Sequence, residues 1–218
     1  MTPEKKEPDF ELSTGRIETL GDGVFAIAMT LLILEVRVPE FHDVPSTGQF
    51  AAGLVALWPK FLCYVISFIT LGVYWVAHHL HFVTIRRADR TLLWINILFF
   101  LVIGLVPFST ALVGSHLRQQ IAVSLYGANM AVVGLTLYLH WTYATTNHRL
   151  VAPSTNPHLV RRVKQVILMG PAVYAVAILL AGVSTAASLV LYLLVNLLYI
   201  VPGGVHLHLR HPAPRRPD

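Results

Sequence analysis

Six uninterrupted apolar runs dominate the chain, at about residues 18–38, 50–80, 91–113, 119–143, 163–182 and 184–202. An α-helix needs roughly 20 apolar residues to cross a hydrocarbon core of about 30 Å. Lipid offers no hydrogen-bond partner to backbone N–H and C=O groups, so runs of this kind have to be helical. The sequence therefore predicts an all-α, polytopic membrane protein with six transmembrane helices per subunit. The first run follows Arg16, Glu18 and Asp22 and has no small-residue cleavage pattern behind it, so it is expected to be retained as a span. The second is longer than a span requires and contains Pro59 and Lys60, which predicts a separate turn at its start. Only the AGVST corner separates the fifth run from the sixth, as in a tight helical hairpin. The organisation read from this pattern is a flexible cytoplasmic N-terminus over 1–15, a six-helix domain over 16–204 and a flexible cytoplasmic tail over 205–218.

Charge orients these spans. The net charge of +5 would by itself suit a nucleic-acid partner, but the basic residues lie in short clusters between apolar runs, and topology explains them better. Of the 16 Lys and Arg residues, 13 fall on the side of the termini; only Arg37, Lys60 and Arg118 fall on the other. The positive-inside rule then makes both termini cytoplasmic, in a multi-pass protein of a cell membrane whose partner is the bilayer, with no nucleic acid. The single cysteine, Cys63, lies inside an apolar run, where a packing role is expected and no intrachain disulfide is possible. Acids are distributed still less evenly. Beyond Asp43, Asp89 is the only one before the C-terminal residue Asp218, so the acidic chemistry of the folded part gathers around the first span.

That span reads RIETLGDGVFAIAMTLLILEV, Arg16 to Val36. At 100° per residue Ile27, Leu31 and Leu34 share one stripe, with Thr30 at its border and Asp22 nearly opposite. Plain packing and a pore-lining role both fit such a stripe. Arg16, Glu18 and Asp22 cluster at the helix start, where an ionisable group at membrane depth is costly and is normally paired or functional. Asp22 either caps the helix and meets the positive end of its dipole, or joins a buried network. Gly21 and Gly23 beside it allow another helix to approach closely. At the far end, Glu35, Glu40 and Asp43 would form an acidic outer vestibule if several copies surrounded an axis, and a solvated loop otherwise.

The second span ends in YWVAHHLHF. His78 and His81 have usable helical spacing for a metal, but no cysteine or carboxylate lies nearby in sequence, so neither a metal nor a cofactor is expected. One of these imidazoles is expected to hydrogen-bond a buried group, with Asp22 or Arg16 as candidates. Asn96, Asn129 and Asn196 should face the bundle and find partners, and Pro107 should kink the third span. Enzyme signatures are absent: the sequence has no P-loop, no G-x-S-x-G, no H-E-x-x-H and no paired intramembrane aspartates. The TVGYG potassium filter is absent too.

RIETLGDGVFAIAMTLLILEV resembles the R-x-x-x-F-S-D signature and following helix of the lysosomal-type potassium channel family, the transmembrane protein 175 family. YWVAHHLHF resembles the end of that family's second helix, and LLWINILFFLVIGLVPFST its third. The resemblance covers roughly the first half of the chain. It implies a six-helix subunit without the usual filter, assembled as a homotetramer when each chain carries one repeat. Potassium, with other monovalent cations, would be the permeant species. First helices would line the pore, with Ile27 at the narrowest ring, Leu31 and Leu34 as the next rings and Thr30 as the polar neighbour tied to selectivity. Arg16 and Asp22 would join a buried network with a second-helix histidine, His78 by position. The chain departs from the signature in having Leu20 and Gly21 where Phe and Ser are usual.

A ring of branched aliphatics is a poor home for water, so it gates by dewetting when narrow and passes a partly hydrated cation when wider. The expected function is thus a potassium-selective or weakly selective cation channel. Two alternatives stand beside it: a proton pathway or secondary transporter using Asp22 and His78, and a membrane scaffold without transport activity.

Overall fold

The computed structural model describes residues 14–200; the tails expected at either end lie outside these, except for Thr14 and Gly15. Eight α-helices follow one another: α1 Thr14–Leu31, α2 Thr47–Val55, α3 Trp58–Thr84, α4 Arg90–Gly104, α5 Val106–Ser115, α6 Gln120–Thr145, α7 Pro157–Ala181 and α8 Thr185–Ile200. They form six membrane-spanning units. Five segments are long and apolar enough to cross a membrane: Thr14–Glu35, Thr47–Thr84, Arg90–Ser115, Gln120–His148 and Pro157–Ala181. The sixth unit is the shorter apolar helix Thr185–Ile200.

Proline explains two of the breaks. Pro59 and Pro107 each lie in the first turn of a new helix, where a missing N–H costs nothing, and they split the second unit into α2 and α3 and the third into α4 and α5. The short α2 is held by its own capping box: Ser46 Oγ accepts the Gln49 N–H and Gln49 Oε1 accepts the Ser46 N–H. Phe41 packs its ring 6.1 Å from that of Phe50, which folds the preceding loop onto this helix. The α7–α8 corner is the tight hairpin expected from AGVST, with the Ser184 hydroxyl accepting the Ala187 N–H at the start of α8.

The core draws on α1 and on α3 to α8, around the fully buried Trp141, Tyr192, Phe99, Met130 and Leu137. Two glycines set the spacing there. A Cβ on Gly134 would come 2.6 Å from Cγ of Pro171, and one on Gly127 would run into the Tyr192 hydroxyl, so small residues let the helices close up. The Tyr192 hydroxyl donates to Val123 O and that of Tyr74 donates to Met130 O. At the end carrying the 85–89 and 146–156 loops, Ile85 bridges to Val151, and Arg87 donates twice to Arg149 O. Asp89 caps α4 by accepting the Leu92 N–H at 2.8 Å, while its second oxygen accepts the Tyr143 hydroxyl of α6 at 2.7 Å.

Candidate functional site

α1 has two unlike faces. Ile17, Gly21, Phe25 and Ala28 are buried at helical spacing against α3 and α4, and Leu32 continues that face. On the other side Ile27 is 62% exposed, Leu31 43% and Leu34 65%, with Thr30 exposed beside them. The span was expected to continue as one helix to about residue 38; the α-helix instead ends at Leu31 and tightens into a 3₁₀ turn over Leu32–Glu35. The stripe survives that change. In a 3₁₀ turn positions i and i+3 eclipse one another, so Leu34 stands directly beyond Leu31. Ile27 to Leu31 at 1.5 Å per residue and Leu31 to Leu34 at 2.0 Å per residue both give rungs about 6 Å apart. The Thr30 hydroxyl donates back to Ile27 O at 2.9 Å, which fixes its rotamer and turns its lone pairs outward. Glu35 is exposed at the end of the turn and lines one small crevice together with Lys60.

The polar residues at the start of α1 do not pair as expected. Asp22 is exposed, and its Oδ1 accepts the indole N–H of Trp75 at 2.8 Å; Trp75 in turn stacks on His79. His78 was expected to meet Asp22 or Arg16. It faces α4 instead, with Nε2 2.9 Å from Asn96 Oδ1. Because Asn96 uses its amide N–H to reach Leu92 O, its carbonyl is the group turned to His78, so His78 Nε2 is the donor. The imidazole sits in an aromatic cage. Phe99 stacks on it at 5.2 Å, Phe82 and Phe100 meet it edge-on, and Phe25 of α1 lies 6.3 Å away. Arg16 is exposed, and no hydrogen bond joins it to Asp22 or His78 among the described residues.

Residues 16–107 match the family model described as endosomal/lysosomal potassium channel TMEM175. "Potassium channel Cha6605_3372" of Chamaesiphon minutus is 36% identical over 174 residues, 78% of this chain and 85% of its own. "Potassium channel B446_29190" of Streptomyces collinus is 35% identical over 190 residues, 85% of this chain and 91% of its own. This chain belongs to the TMEM175 family. The crystal structure of a lysosomal potassium-selective channel TMEM175 homolog from Chamaesiphon minutus superposes with a TM-score of 0.76 at 32% identity, over 85% of this chain and 95% of that one. The mouse endosomal/lysosomal proton channel TMEM175 is 40% identical over 113 residues, 50% of this chain and 23% of its own.

Within this TMEM175 subunit, Gly21 stands where the family signature usually has serine. A Cβ there would lie 3.2 Å from His78 Cε1 and 3.1 Å from the Phe100 ring, so the glycine lets α1 press against the histidine cage. Asn129 and Asn196 join helices as expected: Asn129 donates to Ser109 Oγ, and Asn196 accepts from Thr70. His81 faces His140 of α6, with the two Nδ1 atoms 3.1 Å apart and the rings within 5° of parallel. One Nδ1 donates and the other accepts. His140 and Trp75 did not stand out in the sequence. The only signal for His140 is a lone imidazole in an apolar span, which has to find a partner. Trp75 showed as one more aromatic in an apolar run.

Proposed function

We propose that this TMEM175-family chain forms a homotetrameric, potassium-selective or weakly selective cation channel in a cell membrane, with both termini cytoplasmic. The observation that carries this reading is the exposed α1 stripe: Ile27, Leu31 and Leu34 lie on a face that no other helix among the described residues covers, while the opposite face is locked into the bundle. Copies of α1 around an axis would set these side chains in successive rings about 6 Å apart. Ile27 is then the constriction, Leu31 and Leu34 extend it, Thr30 offers the ion hydroxyl oxygens between rings, and Glu35 draws cations to the outer vestibule. Selection arises from the ease of partial dehydration, which favours potassium over sodium. Asp22, through the Trp75 indole, ties α1 to α3 from outside the stripe. A proton relay from Asp22 to His78 is the weaker reading, since His78 is committed to Asn96 inside a ring of phenylalanines.

The test is flux from liposomes under opposed potassium and sodium gradients, with a proton-sensitive dye in parallel. Electrogenic, non-saturating potassium flux is expected, and Ile27→Asn should wet the ring, raise conductance and lower selectivity. Unchanged currents in Ile27→Asn would remove this residue from the pore, and flux locked to protons would replace the channel with a transporter.

A further inference from the structure

A cavity of about 1000 Å³ lies away from the α1 stripe, walled by α3, α6, α7 and α8. From Thr84 to Thr70 it follows α3 for about 21 Å, at 1.5 Å per residue, so it is a long slot and not a compact pocket. Its walls are mostly apolar, with Val73, Leu80, Leu137, Val166 and Val195 among them, and Trp141, 4.6 Å from the His81 ring, lines it toward the Thr84 end. The end beside the 85–89 and 146–156 loops differs in character. There Arg86 and Arg162 line the mouth with Ser154 and Asn156, and both arginines are exposed.

Among the described residues these cations have no carboxylate partner. Between Asp43 and the C-terminal residue the chain has one acid, Asp89, and both its oxygens are engaged, by Leu92 N–H and by the Tyr143 hydroxyl. An apolar slot as deep as one leaflet, capped at the interface by two arginines that meet no carboxylate among the described residues, matches one ligand chemistry: an acyl chain carrying an anionic headgroup. The chain's own C-terminal segment fits poorly, because Arg210, Arg215 and Arg216 would bring further positive charge to a cationic mouth.

We infer that this slot is a binding site for one anionic phospholipid per subunit. The phosphate is held by Arg86 and Arg162, and an acyl chain runs along α3 past Trp141. The site is separate from ion conduction, so its test does not depend on the channel reading. Purified full-length protein is titrated with phosphatidylglycerol or phosphatidylcholine carrying the same brominated acyl chains. Quenching of tryptophan fluorescence and the retained lipid seen by native mass spectrometry are read in parallel.

Saturable extra quenching by phosphatidylglycerol is expected, with one lipid retained per subunit. The preference over phosphatidylcholine should reach roughly 25-fold, the product of about fivefold for each arginine at an anionic headgroup. Arg86→Gln with Arg162→Gln, both at exposed positions, should bring phosphatidylglycerol down to the phosphatidylcholine level. Equal quenching by the two lipids, or a preference unchanged in the double variant, would overturn the assignment. Displacement by glycerol phosphate as effective as by the whole lipid would make this a site for free phosphates and refute the lipid. Absence of quenching and of retained lipid would mean that another protein segment fills the slot.

Discussion

Replacing Asn96 with leucine removes the acceptor that holds His78 and leaves its buried N–H among the Phe82, Phe99, Phe100 and His140 rings. An unsatisfied buried donor costs about 1–3 kcal/mol, while hydrogen bonds between membrane helices average about 0.6 and reach about 1.7 kcal/mol. The Asn96 bond to Leu92 O lies within α4 and disappears with the side chain, so it leaves no orphaned donor. Asn96→Leu should therefore cost about 1–2 kcal/mol. His78→Leu should cost at least as much, because it also opens a gap in the aromatic cage. The double variant should recover about 1 kcal/mol of the summed loss. A parallel cycle of Asp22→Asn with His78→Leu should be additive within about 0.3–0.5 kcal/mol, since the Asp22 partner is Trp75. Unfolding in mixed micelles by dodecyl sulfate titration measures both cycles. Strong coupling of His78 to Asp22 with none to Asn96 would refute the assignment and restore the network that the sequence resemblance implies.

Gly127→Ala should be among the most damaging small substitutions, because the added methyl meets the Tyr192 hydroxyl and lies 2.9 Å from Ile178 Cγ1; folded yield after detergent extraction should fall sharply, and wild-type yield would show that α6 and α8 are less closely packed. Asp89→Ala should cost about 2–3 kcal/mol by removing the α4 cap and the Tyr143 contact together, whereas Asp89→Asn retains the cap and should lose about half as much; equal losses in the same titration would contradict the capping role. In the proposed tetramer, Asp22→Asn should reduce detergent-resistant assembly more than single-channel conductance; the reverse order would put Asp22 in the permeation path.

Much of this protein follows from run lengths and single residues. Six apolar runs had to become helices because lipid satisfies no backbone group, and Pro59 and Pro107 marked where two units break because proline cannot continue the hydrogen-bond ladder. The α1 stripe was readable from a period of 100° per residue, but its ending was not. Nothing in LILE announces a 3₁₀ turn, and the stripe persists only because the tighter turn brings Leu34 beyond Leu31.

Polar residues in the spans show the same division. The sequence alone determined that Asn96, Asn129 and Asn196 must find partners, since an unpaired amide in lipid is too costly. It did not determine which partners, because periodicity gives the face of a helix and not the neighbour packed against it. Only the tertiary structure decided that Asn96 takes His78, that Asp22 takes Trp75 across 53 residues, and that His81 meets His140 across 59. Each pairing depends on where α3 lies among α1, α4 and α6, and that arrangement is set by helices closing on small residues such as Gly21, Gly127 and Gly134.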